Sequence, residues 1–296
     1  MFEQLGLIGC GLMGGSFALA LKQAGLVRRV VGYSKSPTTT ERARQLGVID
    51  EAAPSALMAV SGSDIVLLAI PVAATEATLK SVRHLITPQM LVMDVGSTKT
   101  DVVNAARAAL GDKVGSFVPA HPATGKEVAG VEHADGQLYQ GAQVVLTPTE
   151  RTLTAQLQRA QILWKALGCR VSTMSPEVHD SAFAAVSHLP HMLSFALMNS
   201  ILSQSNGHQF LSLAGPGFRD FSRIAAGDPR LWRDVFLANK DEVLEQARHF
   251  QQALQKLEQA MLAEDGQALQ DLITTASEAR LNWRMGQPVG DHAQTS

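Results

Sequence analysis

The chain has 296 residues, of which 46% are hydrophobic and 18% charged, and its formal net charge is −2 at neutral pH. This composition excludes a disordered chain and a general attraction to nucleic acid or anionic membranes, and the length allows two domains of ~100–200 residues. Two cysteines are too few for a disulfide framework and the N-terminus lacks the pattern of a signal peptide, so we expect a cytoplasmic location.

The first half of the chain alternates short apolar runs with segments of helical character. Several runs are unbroken Val, Ile and Leu, as is typical of strands covered on both faces. The helical segments end at Gly25 and Gly47, and Ser36 with Pro37 is a helix-start signal. The alternation predicts an α/β fold with a Rossmann-type, doubly wound, mostly parallel sheet. Its predicted strands are Leu5–Ile8, Val30–Tyr33, Ile65–Ile70, Leu91–Val95, Phe117–Ala120, Val144–Thr147 and, more weakly patterned, Arg170–Thr173.

After Met174 the pattern becomes helical almost throughout. Ser175-Pro176 and Asp228-Pro229 are helix-start signals. We therefore place a domain boundary near residue 174, with an α/β domain over 1–174 and a helical domain over 175–296.

A glycine-rich turn, "GLIGCGLMGGS", follows the first predicted strand and opens a helix. Gly9 permits a tight turn, Gly11 lets the backbone approach a pyrophosphate, and Gly14 lets helix and strand pack closely. The helix N-terminus at Leu12 and Met13 offers free amides and a positive dipole to phosphate groups. The α/β domain is therefore predicted to bind a dinucleotide.

The second predicted strand ends in "YSKSP", without the acidic residue that holds the adenosine ribose in an NAD site. Ser34, Lys35 and Ser36 instead provide hydroxyl donors and a cation, which suit a 2′-phosphate. The alternative is that Ser34 caps a turn and Lys35 is a solvated surface charge. We favour NADP over NAD, with NAD remaining open.

Two histidine neighbourhoods are candidates for chemistry. His121 in "PAHPATGKE" ends a predicted strand, and strand ends of this kind border the ligand crevice. A structural histidine beside a proline is the alternative. His188 and His191 lie in "VSHLPH" on a helix that Pro190 should bend. No third ligand at metal spacing accompanies them, so we predict no metal site, and we interpret His191 as a packing residue.

Five segments together identify the chain as similar to the prephenate/arogenate dehydrogenases of tyrosine biosynthesis. They are "GLIGCGLMGGS", "DVGSTK", "HPATGKEVAG", "VSHLPH" and "FRDFSRIAAGDPRLWRD". The resemblance runs from Leu5 to about Lys240. It implies a dinucleotide domain followed by a helical, homodimer-forming substrate domain. It also implies oxidative decarboxylation of a cyclohexadienol, giving 4-hydroxyphenylpyruvate from prephenate or tyrosine from arogenate.

The resemblance also implies roles for single residues. One base near neutral pKa is needed, and the family's hydroxyl-binding histidine falls on His121. The family's serine beside the nicotinamide falls on Ser97, its substrate arginine on Arg223, and its second-domain histidine on His188. Glu127 matches an acidic position that takes part in gating the site in some members.

Two further residues are candidates for binding the substrate. Asp220 lies one helical turn before Arg223, and the two could also form a simple ion pair. Lys126 departs from the family, which commonly has a neutral residue there. A lysine near the substrate side chain would repel the ammonium of arogenate and favour prephenate. With no appended regulatory domain expected, feedback by tyrosine would act at the active site.

Two other functions fit part of the sequence. A β-hydroxyacid dehydrogenase or imine reductase would share the glycine turn and a helical second domain, but needs its own catalytic lysine and asparagine where this chain has "FAAVSHLPH". A non-catalytic NADP-sensing regulator would have no need of both His121 and Arg223.

Overall fold

A computed structural model describes residues 1–285 of the chain. Two compact units are present, one formed by Met1–Val243 and a second that begins at Leu244. The first unit contains both sheets, every predicted site residue and the first helices of the helical region. The change from strands to helices occurs where the sequence predicts it, but a separate domain over 1–174 stays a prediction.

The first unit is built on a six-stranded sheet in which every neighbouring pair is parallel, in the order β3-β2-β1-β4-β5-β6. The strand order reverses between β1 and β4, since β2 and β3 lie on one side of β1 and the later strands on the other, and this opens a crevice at their carboxyl ends. This confirms the predicted doubly wound fold. The elements are β1 (Phe2–Ile8), α1 (Leu12–Gln23), β2 (Val27–Tyr33), α2 (Pro37–Gln45), β3 (Glu51–Ala52), α3 (Ala56–Val60), β4 (Ile65–Leu68), α4 (Thr75–Val82), β5 (Leu91–Asp94), α5 (Thr100–Leu110) and β6 (Phe117–Val118).

A second, three-stranded sheet follows, formed by β7 (Ala120–Pro122), β8 (Gln143–Leu146) and β9 (Arg170–Thr173), with α6 (Thr154–Ala166) between the last two. The single strand predicted over Phe117–Ala120 is therefore wrong. Pro119 has no N–H for a strand ladder, and the chain leaves the first sheet there. His121 consequently lies in the middle of β7, antiparallel to β8, and not at the end of a parallel strand.

The two faces of the six-stranded sheet bury separate apolar cores. Leu7 points into a core with Phe17 and Trp164, whose rings lie 5.0 Å apart. The next residue, Ile8, points to the opposite face, where it packs with Leu68. Adjacent strand residues point to opposite faces of a sheet, so both faces being apolar explains the unbroken hydrophobic runs.

Local signals mark several helix ends. Ser36 and Ser175 accept hydrogen bonds from backbone amides three residues on, and each is followed by a proline at the first helical position. Asp228 caps its helix in the same way. Gly25 and Gly47 adopt positive φ angles of 65° and 70° after α1 and α2, a conformation that glycine adopts without strain.

The helical region begins with a long, bulged helix. Between α7 and α8 the chain forms one π-helical turn, Ala184–His188, and Pro190 follows at the start of α8. Proline lacks the N–H for a regular helical bond, and π turns are frequent at functional sites. Pro176–Leu202 is apolar and long enough to cross a membrane by composition alone, which is weak evidence for a span. The helices are α7 (Pro176–Phe183), α8 (Leu189–Leu202), α9 (Gly207–Ser212), α10 (Pro216–Ser222), α11 (Pro229–Ala238), α12 (Lys240–Leu262) and α13 (Gly266–Asn282).

Candidate active site

The three glycines of the predicted dinucleotide turn differ in the space around them. A Cβ on Gly9 would lie 2.1 Å from the Ala69 oxygen, and one on Gly14 would lie 2.0 Å from the Gly9 oxygen. A Cβ on Gly11 would meet nothing within 4 Å. Gly9 and Gly14 are therefore required by packing, whereas Gly11 faces open space at the start of α1. No described side chain caps this helix, so its first amides are available to an anion.

The three polar residues after β2 have unequal freedom. Ser34 Oγ accepts a hydrogen bond from the Cys10 amide at 2.8 Å and so braces the glycine turn. Ser36 caps α2 and lies 2.7 Å from the Thr38 hydroxyl. Lys35 is exposed, and its side chain forms no hydrogen bond or ion pair with the described residues. Both the turn-capping alternative for Ser34 and the helix-start signal at Ser36 are thus seen in the structure.

A buried ion pair joins the loop of Ser97 to the strand of His121. Lys99 is fully buried; its ammonium donates to Asp94 and, at 2.9 Å, to the carbonyl of Ala120. Asp94 also accepts the amides of Gly96 and Ala120 at 2.8 and 3.0 Å. The segment that carries Ser97 is therefore anchored on both sides to the residue that precedes His121.

His121 is the first member of a buried chain of hydrogen bonds. Its Nδ1 lies 2.8 Å from Nε2 of His179, and Nδ1 of His179 lies 2.8 Å from Oδ1 of Asp180. The Asp180 carboxylate also accepts the amides of Lys99 and Thr100, both at 2.8 Å, at the N-terminus of α5. Residues from β7, α7 and α5 thus meet at one point beneath the candidate base.

Burial and hydrogen bonding set the charge states of the three hydrogen-bonded residues. Burial lowers the pKa of His121 well below 6.5, and the positive charge of Lys99 lowers it further. Burial likewise lowers the pKa of His179. Burial alone would raise the pKa of Asp180, but the hydrogen bonds from His179, Thr100 and Lys99 hold it below its usual value. At neutral pH both histidines are neutral and Asp180 is ionised.

His188 has one ring nitrogen for which residues 1–285 provide no hydrogen-bond partner. Asn239 Nδ2 donates to the Asp180 carbonyl at 2.8 Å, which identifies it as the amide nitrogen, and it lies 3.1 Å from Nδ1 of His188. Nδ1 therefore accepts and Nε2 carries the proton. Burial lowers the pKa of His188 to about 4. Nε2 is buried and has no partner among the described residues, although a buried donor needs one.

The predicted substrate arginine is held by the predicted gate residue. Arg223, the first residue of a 3₁₀ turn after α10, forms an ion pair with Glu127. Close by, the half-buried ring of His191 stacks on Trp232 with a centroid distance of 3.5 Å. Burial lowers the pKa of His191, the carbonyl of Ser187 opposes this, and the charges of Arg223 and Glu127 act on it in opposite directions. The stacking agrees with the packing interpretation of His191, and the ring also lies within electrostatic reach of Arg223 and Glu127.

The remaining predicted residues lie on the surface. Asp220 pairs with its neighbour Arg219 at 3.1 Å and not with Arg223, so the helix ion pair considered from the sequence is absent. Lys126 pairs with Asp135 at 3.2 Å and donates to the carbonyl of His133. Within residues 1–285 no group of three or more His, Cys, Asp or Glu side chains is arranged to hold a metal.

Four residues of this site escaped the sequence interpretation: Lys99, His179, Asp180 and Asn239. Lys99 is part of the quoted motif "DVGSTK", but the motif does not show that its ammonium is buried. His179 and Asp180 are adjacent, one turn after a helix cap, yet their partners are some 60 and 80 residues away. Such pairings follow from the tertiary fold alone.

A glycine cradle at a switch point, together with a neutral histidine in a buried polar network, is the arrangement expected of a nicotinamide-dinucleotide-dependent dehydrogenase. Comparisons identify the family. The family described as prephenate dehydrogenase, nucleotide-binding domain, matches residues 17–173, and its dimerization domain matches residues 175–275. The chain thus belongs to the prephenate dehydrogenase family.

Comparison with individual relatives supports the same family. The chain is 34% identical to the prephenate dehydrogenase of Bacillus subtilis, over 95% of this chain and 76% of the relative. It is 31% identical to the cyclohexadienyl dehydrogenase of Zymomonas mobilis, over 95% and 96%. The crystal structure of the Aquifex aeolicus prephenate dehydrogenase with hydroxyphenyl propionate and NAD+ superposes with a TM-score of 0.88 at 35% identity, covering 95% and 98% of the two chains.

These findings confirm the predicted family, fold and reaction class. The protein is an oxidoreductase that carries out the oxidative decarboxylation of prephenate or arogenate in tyrosine biosynthesis. The β-hydroxyacid dehydrogenase, imine reductase and regulator alternatives are therefore wrong.

Proposed function

We propose that His121 is the base of this reaction, with Ser97 beside the reacting hydroxyl and Arg223 on the ring carboxylate. The observation that carries the proposal is the neutral, buried imidazole of His121, tied by its Nδ1 to His179. A base must be unprotonated at the start of the reaction, and burial ensures this. Ser97 is half-buried in the loop anchored to the strand of His121.

The residues of the chain have separate tasks in the reaction. The glycine turn and the α1 N-terminus fit a dinucleotide, which, when bound, supplies the hydride acceptor. His121 takes the proton of the C4 hydroxyl as the C4–H bond gives up its hydride. The bond between the ring and its carboxylate then breaks, its electrons enter the ring, and CO2 leaves. Aromatisation drives these steps, so the chain needs to supply only orientation and one base, worth ~10²–10⁴-fold.

In this proposal Arg223 and Glu127 form the gate of the substrate site. The guanidinium fork suits a carboxylate in two parallel bonds, and Glu127 occupies it in the structure. A substrate carboxylate would take the place of Glu127. Asp220, which pairs with Arg219, is proposed to assist substrate binding. His191, stacked on Trp232, and the unpartnered Nε2–H of His188 are proposed to complete the pocket as donors to the substrate.

The base assignment has a direct test. Absorbance at 340 nm reports reduced cofactor when NAD or NADP is mixed with prephenate or arogenate. We expect turnover by the native protein and its loss in His121→Asn, with cofactor binding retained. Native-like turnover in His121→Asn would overturn the assignment.

Lys126 supports prephenate over arogenate as the preferred substrate, because its ammonium would repel the ammonium of arogenate. In the structure Asp135 neutralises part of this charge. Lys126→Ala should therefore lower the prephenate preference in kcat/KM, and Asp135→Asn should raise it. An unchanged preference in Lys126→Ala rules the proposal out.

The polar turn after β2 supports NADP over NAD. Lys35 is exposed, and none of the described residues pairs with its ammonium, while the Ser34 oxygen braces the turn. The test is the ratio of kcat/KM for the two cofactors, with Lys35→Asp expected to shift it toward NAD. A clear preference of the native protein for NAD defeats this proposal.

A homodimer, tyrosine feedback and a cytoplasmic location complete the proposal. The family description of residues 175–275 as a dimerization domain supports the dimer, as do exposed apolar side chains such as Phe221, Leu231 and Leu237. Light scattering after size exclusion should give twice the mass of the chain.

Tyrosine, which resembles the product, should inhibit competitively with prephenate if it binds at the active site. Cell fractionation tests the location.

A further inference from the structure

The proton positions in the buried chain can be assigned in sequence from Asp180. Its carboxylate accepts the backbone amides of Lys99 and Thr100 at the N-terminus of α5 and is ionised, so it can only accept hydrogen bonds. The atom facing it at 2.8 Å, Nδ1 of His179, must therefore carry a proton. A neutral imidazole carries one ring proton, so Nε2 of His179 is left with a lone pair.

The same argument fixes the state of His121. Its Nδ1 lies 2.8 Å from the lone pair on Nε2 of His179 and must donate to it. Because His121 is also neutral, its own Nε2 holds a lone pair. The opposite arrangement would place the Nδ1 lone pair of His179 against the carboxylate, which is repulsive.

We propose that His179 and Asp180 are positioning residues that hold His121 in the Nδ1–H form, with Nε2 as its basic atom, and that stabilise its imidazolium once the proton has arrived. This inference rests on the proposed role of His121 as the base. The O–H bond of the substrate hydroxyl breaks, an N–H bond forms at Nε2, and the Nδ1 proton stays in place.

The surroundings of the pair support this role. The ring of Phe183 stacks on His179 at 4.4 Å and lies 4.5 Å from His121, so it packs against both rings and restricts them. The other charged or titratable groups acting on His121 are Lys99 and His188. Lys99 disfavours a second positive charge, so the carboxylate at the end of the chain is the group that offsets the imidazolium.

The test compares two substitutions of His179. His179→Phe keeps a ring against Phe183 but removes the acceptor for His121. His179→Gln offers an amide oxygen to His121 without the link to Asp180. We expect His179→Phe to lower kcat by ~10²–10⁴-fold, to leave the substrate KM unchanged, and to move the acidic limb of the kcat/KM profile to lower pH. We expect His179→Gln to recover part of kcat.

Nitrogen-15 NMR of histidine-labelled protein gives a second readout, independent of turnover. In the native protein Nε2 of His121 should be unprotonated at neutral pH, and in His179→Phe the proton should be shared between both nitrogens. If His179→Phe fails to fold, His179→Gln and the native spectrum decide. The exposed His84 offers a matched control, and His84→Phe should match the native protein in every assay.

These results distinguish the positioning role of His179 and Asp180 from the base role of His121 on which it rests. Native kcat and an unmoved pH profile in His179→Phe, together with loss of turnover in His121→Asn, would overturn the positioning role alone. A protonated Nε2 on His121 in the native protein would also overturn it. Turnover by His121→Asn would instead defeat the base assignment itself.

Discussion

Replacing Lys99 by methionine tests the buried ion pair that supports the active site. Lys99 is 0% exposed and Asp94 3%, so Lys99→Met leaves the carboxylate of Asp94 buried without its cation. Breaking one side of such a pair costs about 3–5 kcal/mol. The two amides that Asp94 accepts, from Gly96 and Ala120, offset part of this and favour the lower half of that range.

The assay is urea unfolding at one protein concentration. With a slope of about 2.5 kcal/mol per M, the loss corresponds to a midpoint roughly 1–2 M lower. The double variant Asp94→Asn with Lys99→Met removes the unpaired charge but keeps an acceptor, so it should be more stable than Lys99→Met alone. A midpoint unchanged by Lys99→Met, or a double variant less stable than the single one, would refute the electrostatic reasoning.

Three further predictions concern the cradle, the gate and pH. Gly14→Ala should lower the urea midpoint because its Cβ meets the Gly9 oxygen. Gly11→Ala should unfold like the native protein but bind dinucleotide at least about tenfold more weakly by calorimetry, as expected for a lost phosphate contact of ~1.4 kcal/mol. Equal effects of the two substitutions would contradict this. Arg223→Lys should raise the prephenate KM more than it lowers kcat, while Glu127→Gln, which frees Arg223, should not raise KM. Burial lowers the pKa of His188 from 6.5 to about 4. The stability that its neutral form contributes is therefore complete above pH 6.5 and is lost as the pH falls toward 4. At pH 5 the free energy of unfolding in urea should be lower by about 2 kcal/mol, and His188→Gln should lack this decrease.

Local features of this protein were predictable from its sequence, and pairings between distant segments were not. Ser36, Ser175 and Asp228 cap helices because the cap and the amides it satisfies lie within three residues of each other. The break at Pro119 was signalled by a proline, but the apolar run around it favoured one strand. A proline inside a predicted strand therefore carries more information than the hydrophobic pattern around it.

Some residues of the candidate site were predictable from the sequence, and others were not. His121 and Arg223 could be placed through the resemblance of whole motifs to a family. His179 stayed without a role, because its significance depends on a ring 58 residues away and on a carboxylate held by α5. His191 was interpreted as packing, which its stacking on Trp232 supports, but the nearby charges of Arg223 and Glu127 become visible only in the structure.

The double use of Asp180 limits how this enzyme can be divided or recombined. One carboxylate closes the N-terminus of α5 and orients the histidine beneath the base, although α5 belongs to the α/β part and Asp180 to the first helix after it. A fragment cut at residue 174 would keep the glycine cradle but lose both functions. Chimaeras that exchange helical regions between relatives should therefore keep α7 together with the sheet from which its partners come.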